Sequence, residues 1–245
     1  MKPRIVGVIP ARYASSRFPG KALADLYGRP MVQHVVERAA QAALLDAVLV
    51  ATDDERIRDA VVSFGGKVCM TSPDHPSGTD RIAEAVRDLP CDLVVNIQGD
   101  EPLLDPGMVD MAVAPLAEDA RIEMGTLARP MGSAEAADPS KVKVVQDQQG
   151  FALYFSRSKI PHIREDVPAD LAGPFLLHVG LYVYRRETLL RLAGLPPTPL
   201  EMRERLEQLR ALEHGIRIRV VVTEHQSFGV DTPADLERVR QMMRG

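Results

Sequence analysis

The chain has 245 residues, 45% of them hydrophobic and 26% charged, with a formal net charge of −4. That composition is ordinary for a folded protein, and the length suits one large domain spanning 1–245 with at most an elaborated subdomain. The acidic balance argues against a sequence-independent grip on nucleic acid, which needs many cations on one face, and no run approaches the ~20 apolar residues that cross a bilayer.

Ile5 to Ile9 reads as a buried strand, followed by a polar Gly/Pro loop and a helix from about Met31 to Leu44 with Val32, Val35, Val36 and Ala39 on one face. Ala47 to Ala51 is a second strand, leading into a helix opened by Asp53, Asp54 and Glu55. A third strand is expected over Lys67 to Thr71, a helix over Thr79 to Leu89 and a fourth strand over Leu93 to Ile97. Strand–helix alternation with all-apolar strands predicts an α/β fold whose parallel sheet is covered on both faces. The second half breaks the rhythm. Val142 to Val145 and Phe151 to Phe155 flank Asp147-Gln148-Gln149-Gly150 as in a hairpin, and Ile160 to Gly173 reads as a surface loop or arm. Leu176 to Tyr184 is a strand, Glu201 to Leu212 a helix, Arg217 to Val222 a late strand and Pro233 to Met243 a closing helix. Cys69 and Cys91 read as buried thiols in a reducing cytoplasm. The first residues, Met1 to Ile9, form too short an apolar run for a signal peptide, so the expected location is cytoplasmic.

The loop after the first strand, Pro10 to Lys21, sets Arg12, Arg17 and Lys21 among Ser15, Ser16, Pro19 and Gly20. Ligands of open α/β sheets bind at the carboxyl ends of the strands. A triphosphate, with about four negative charges, needs several cations and backbone N–H donors. The loop is neither GxxxxGK[ST] nor GxGxxG, which argues against a P-loop NTPase and a dinucleotide dehydrogenase. The fourth strand ends in Gln98-Gly99-Asp100-Glu101 and so brings a carboxylate to the same edge. Nucleotidyl transfer needs Mg²⁺, which takes oxygen ligands from one or two carboxylates, and Asp100 is the first candidate. Asp231, in Gly229-Val230-Asp231-Thr232-Pro233, is either the cap of the last helix or a second metal ligand. Ser77, Gly78 and Arg81 precede or open a helix, where free amides could read a pyrimidine edge or Ser77 or Thr79 could simply cap the helix. Arg157, Arg164, His178, Glu201 and Gln208 offer the guanidinium and hydrogen-bonding groups that an acidic sugar would require. His178 is the most pointed of them, because an imidazole in an apolar strand needs a partner.

The segments PARYASSRFPGK, VNIQGDEP, ALYFSRSKIP, HVGLYVYR, PLEMRERLEQLR and GVDTPADLERV, in this order along the chain, resemble the 3-deoxy-manno-octulosonate cytidylyltransferases, also called CMP-Kdo synthetases. The resemblance implies a Rossmann-like nucleotidyltransferase fold with a mostly parallel central sheet and an inserted β-arm. It implies CMP transfer from CTP to an acidic octulosonate sugar, in the making of the lipopolysaccharide inner core. Mg²⁺ would be held by Asp100 and Asp231. CTP phosphates would be held by Arg12, Ser15, Arg17 and Lys21, and the sugar pocket shaped by Gln98, Arg157, Arg164, His178, Glu201 and Gln208. A homodimer is implied too, joined through the arm at 141–161. His162-Ile163 departs from the Trp-Asp often found there. Other acceptors (a sialic acid or an 8-amino octulosonate) and a non-catalytic nucleotide-binding protein are the alternatives.

Overall fold

The computed structural model describes residues 2–14, 18–165, 167–168 and 173–244. β1 (Ile5–Ala11) is apolar on both sides: Ile5, Ile9 and Ala11 face one core, Val6 and Val8 the other. After it come a 3₁₀ turn (Lys21–Leu23), the short hairpin β2 (Asp25–Leu26) and β3 (Arg29–Pro30), α1 (Met31–Ala39), β4 (Ala47–Thr52), α2 (Glu55–Ser63), β5 (Val68–Met70), α3 (Gly78–Val86) and β6 (Leu93–Asn96). Next are α4 (Pro106–Glu118), β7 (Met124–Met131), α5 (Ser133–Ala136), β8 (Lys143–Gln146), β9 (Ala152–Ser156) and β10 (Phe175–Arg185). α6 (Arg186–Ala193), α7 (Pro199–Glu204), α8 (Gln208–Glu213), β11 (Ile218–Val222) and α9 (Pro233–Arg244) complete the chain.

One sheet runs β11-β7-β10-β6-β1-β4-β5, with β8 joined to β10 and β9 to β8. β6, β1, β4 and β5 are mutually parallel, whereas β10 is antiparallel to β6 and to β7. The chain steps from β1 to β4 and β5, then returns to lay β6 on the other side of β1. Loops leaving the carboxyl ends of β1 and β6 therefore diverge at a topological switch point, which leaves a crevice between them. Val32 and Val35 of α1, Ile57 of α2 and Met108 of α4 fill one core, and Ile82 of α3, Leu189 of α6 and Leu209 of α8 fill the other.

Several boundaries differ from the sequence expectations. The first helix stops at Ala39 rather than near Leu44. The helix expected over Glu201 to Leu212 is two helices, because Arg205 adopts a left-handed conformation (φ 54°) between them. α4 and β7 had no counterpart in the sequence reading.

Two features of the fold bear on the site. β10 slips register between Val179 and Tyr182, and the hydroxyl of Thr126 on β7 lies 3.1 Å from the Val179 carbonyl and 2.9 Å from that of Leu181. The irregularity turns the Gly180 carbonyl to accept from Gln98 Nε2 at 2.9 Å. His178 Nε2 is 3.1 Å from the same hydroxyl, and its ring packs between Phe155 and Tyr182 with centroid distances of 5.1 and 5.2 Å. The second feature is the β8–β9 hairpin, where the Lys143 ammonium donates to the carbonyls of Asp138, Lys141 and Arg157 at 2.9, 2.6 and 2.5 Å. Lys143 has no exposed surface, and burial lowers its ammonium pKa.

Both features predict stability effects. Lys143→Met leaves three covered carbonyls without their donor, and should lower the unfolding free energy by about 2–4 kcal/mol in urea denaturation. Enclosure pushes the His178 pKa down from the ordinary imidazole value of 6.5 to about 3, even though part of the residue's surface is exposed. The folded protein thus refuses a proton that the unfolded chain accepts. The associated stability is complete above about pH 6.5 and is lost as pH falls toward 3. His178→Gln should reduce the proton uptake on unfolding near pH 5 by about one, read from the pH dependence of the denaturation midpoint.

Candidate active site

At the carboxyl ends of β1 and β6 lies a cleft of about 320 Å³. Its floor is Pro10 and the Gln98-Gly99-Asp100 turn. Gly99 is required there, since a Cβ would stand 3.0 Å from the Pro10 carbonyl oxygen. Arg12 and Lys21 come from the loop after β1, Ser77, Gly78 and Arg81 from the start of α3, and Asp231 from the turn before α9. The β1 loop is pinched where the Gly20 N–H donates to the Tyr13 carbonyl at 2.9 Å. Gly20 has φ 71° and its missing Cβ faces the Tyr13 ring at 3.1 Å, so glycine is needed twice over. Lys21 follows at once and turns inward.

The Lys21 ammonium lies 2.6 Å from Asp100 Oδ2 and 3.4 Å from Asp231 Oδ1. A backbone bond ties the two acid-bearing turns together, the Val230 N–H donating to the Asp100 carbonyl at 2.8 Å. Capping of α9 falls to other residues. Thr232 Oγ1 accepts from the Asp235 N–H at 3.2 Å, and Asp235 Oδ2 accepts from the Thr232 N–H at 2.9 Å. The Asp231 side chain lines the cleft. Burial pushes the carboxyl of Glu101, next to Asp100, up to about 7, against the lowering effect of the Ser227 hydroxyl.

The residues fit a magnesium ion. Two carboxylates converge on one cationic point, and their hard oxygen donors suit Mg²⁺. Among the described residues no group of three or more His, Cys, Asp or Glu surrounds such a point. Asp100 and Asp231 would therefore fill only part of an octahedron and leave places for water and phosphate oxygens.

A second hollow of about 200 Å³ shares Pro10, Gly78 and Gln98 with the first. Thr79, Asn96, Tyr182, Tyr184, Glu207 and Gln208 complete most of its lining. The Glu207 carboxyl is raised by burial. Tyr184 is raised by burial. Gln208 Nε2 is buried without a hydrogen-bond partner among the described residues, which leaves it suited to an entering oxygen.

Of the residues singled out in the sequence, Arg12, Lys21, Ser77, Gly78, Arg81, Gln98, Asp100 and Asp231 meet in the first cleft, and Gln208 lines the second. Ser15 and Arg17 lie outside the described residues. Three expected sugar ligands are engaged elsewhere. Arg157 grips the corner between α7 and α8, its Nε donating to the Glu204 carbonyl at 2.7 Å. Glu201 pairs with Arg210 at 2.6 Å and completes the N-terminal capping box of α7. His178 sits behind Tyr182, outside both linings. Arg164 is exposed and also outside them. The acid of the second hollow is Glu207 rather than Glu201. The left-handed Arg205 rotates the following helix so that Glu207 and Gln208 face inward, and no residue in the run signals that break. Asn96, Tyr182 and Tyr184 were also missed, being apolar-strand residues by pattern.

Comparison with known proteins places the chain in a family. The chain is 58% identical to the 3-deoxy-manno-octulosonate cytidylyltransferase of Syntrophotalea carbinolica, covering 98% of this chain and 99% of the relative. It is 55% identical to that of Geobacter sulfurreducens over the same shares. The solved structure of a CMP:2-keto-3-deoxy-manno-octonic acid synthetase complexed with CTP superimposes with a TM-score of 0.93 at 47% identity, covering 98% of each chain. The 4-diphosphocytidyl-2C-methyl-D-erythritol synthase of Anaerococcus prevotii, at 12% identity and a TM-score of 0.64 over the full length of both chains, shares the nucleotidyltransferase fold alone. Residues 6–218 match the family model described as Cytidylyltransferase, and the chain belongs to the cytidylyltransferase family.

Proposed function

We propose that this protein transfers CMP from CTP to 3-deoxy-D-manno-octulosonate, releasing pyrophosphate, with Mg²⁺ as its cofactor. The observation that carries the reading is the meeting of Asp100 and Asp231 on one cationic point in a cleft that Arg12 and Lys21 also line. Chemically, the anomeric hydroxyl oxygen of the sugar forms a bond to the α-phosphorus of CTP while the bond to the β-phosphate oxygen breaks in line. Pyrophosphate takes the electron pair, and the hydroxyl proton is lost to solvent. Such transfers depend on positioning and charge stabilisation more than on covalent help from the protein.

Asp100 and Asp231 would hold the Mg²⁺, which when bound supplies charge neutralisation at the reacting phosphates. Arg12, Lys21 and, from the same loop, Ser15 and Arg17 hold the triphosphate, and Lys21 stabilises the charge that builds on the departing pyrophosphate. Gln98 borders both hollows and, fixed by the Gly180 carbonyl, orients the sugar against the nucleotide. Glu207, Gln208 and the tyrosine hydroxyls meet the sugar's hydroxyl groups. The neighbouring hairpin, whose Leu153 is 62% exposed, is the face through which two copies would join as a homodimer. The reaction belongs to the cytoplasm, the compartment of CTP, and its product serves lipopolysaccharide assembly. Among the described residues no helix is long and apolar enough to cross a membrane.

Pyrophosphate release tests the reading. Turnover is expected with CTP, the octulosonate and Mg²⁺, with far less when UTP replaces CTP or the metal is chelated. Preference for a sialic acid or an 8-amino octulosonate would change the acceptor but not the reaction. Asp100→Asn should lower kcat by about 100-fold or more with an unchanged circular dichroism spectrum, and near-normal turnover in that variant would remove the metal from the account.

A further inference from the structure

His75 lines the cleft beside Pro76, Ser77 and Gly78, and nothing in the reaction as described uses it. Its orientation is fixed. Nε2 is hydrogen-bonded to Glu84 Oε2, and the same oxygen accepts from the Ser72 N–H at 3.0 Å. Glu84 lies within α3 (Gly78–Val86), so it braces the turn 72–75 at both ends. The Ser72 N–H first, and then the His75 ring, hold its carboxyl below the usual carboxylate range, which keeps an anion facing Nε2. With the proton on Nε2, a neutral imidazole presents Nδ1 as an acceptor.

The other polar side chains of that wall are already committed. Ser77 Oγ accepts from the Asp80 N–H at 3.2 Å and donates to Asp80 Oδ2 at 2.7 Å. Arg81 donates to Thr71 Oγ1 at 2.5 Å and pairs with Asp53 at 3.3 Å. His75 Nδ1 makes no hydrogen bond among the described residues. Around it the wall is small and flat, made of Pro76, Ser77 and Gly78, with Pro10 adjoining Gly78 at 3.4 Å from where a Cβ would stand. A flat ring can lie against such a surface. Cytosine and uracil differ at C4, where cytosine carries an amine that donates and uracil a carbonyl that accepts. An acceptor nitrogen meets the first and repels the second, and specificity of this kind is strong because the wrong base leaves a polar group unpaired.

We propose that His75, held as the Nε2–H tautomer by Glu84, reads the exocyclic position of the base and selects cytosine over uracil. The proposal rests on the cleft being the nucleotide site. The test is binding of CTP and UTP with Mg²⁺ by calorimetry, without sugar, together with steady-state kinetics for both nucleotides. His75→Ala should reduce the CTP-to-UTP ratio of kcat/KM by about ten- to hundredfold, mainly through KM for CTP. Glu84→Leu should reproduce much of that loss, whereas Glu84→Gln, whose amide oxygen still accepts from Nε2–H, should restore most of it. Equal losses for CTP and UTP, or an unchanged ratio in a folded variant, would overturn the proposal. In the wild-type protein, ¹⁵N spectra of labelled histidine should show the Nδ1 signal of one ring shifting with CTP but not with UTP, and absence of that shift also overturns it. A wild-type protein that binds neither nucleotide would instead strike at the underlying assignment of the cleft.

Discussion

Two carboxylates drawn to one ammonium hold the site together. Lys21 is 79 residues from Asp100 and 210 from Asp231, so nothing local brings them into contact. Acids placed that close repel by on the order of a few kcal/mol unless a cation lies between them, and the fold must supply the restraint. It does so through the Val230-to-Asp100 backbone bond and the packing of Val230, Leu236 and Val239 against Leu26 and Met31. The last helix is therefore part of the site, because its docking on the β2–β3 hairpin region carries Asp231 into position.

A second line of restraint runs through the sheet. The register slip in β10, filled by the Thr126 hydroxyl, presents the Gly180 carbonyl to Gln98. Gln98 then borders both the larger cleft and the smaller hollow. The left-handed turn at Arg205, gripped by Arg157, brings Glu207 and Gln208 to that hollow from the far side. Irregular points in an otherwise regular α/β sheet thus create the junction where two substrates can meet. Backbone departures of this kind are often found where function requires them.

Much of this was legible in the sequence. β1, β4 and β6 announce themselves as unbroken apolar runs, since strands covered on both faces cannot alternate. The cationic loop and the Gly-Asp turn were readable as a pair because a parallel strand must end at the ligand-binding edge. Asp231 could not be separated from a helix cap by sequence alone, and only the Thr232–Asp235 exchange of bonds settles which side chain caps. α4 escaped notice because it is apolar nearly all round and contains Pro115, which hides the helical period. The exchange of Glu201 for Glu207 came from a left-handed residue inside an apparently continuous helix, a conformation that Arg does not advertise. Arg157 and His178 have the chemistry of sugar ligands, yet the fold uses one to fasten a corner and the other to fill a strand irregularity.

The central claim is that Asp100 and Asp231 share one divalent ion. Crystals grown with CTP and Mn²⁺, measured at the manganese absorption edge, test it directly. The account predicts a single anomalous peak within coordinating reach of both carboxylates and of the nucleotide phosphates, at the point where the Lys21 ammonium lies in this structure. A peak that touches only one of the two acids, or that lies apart from both, would contradict it.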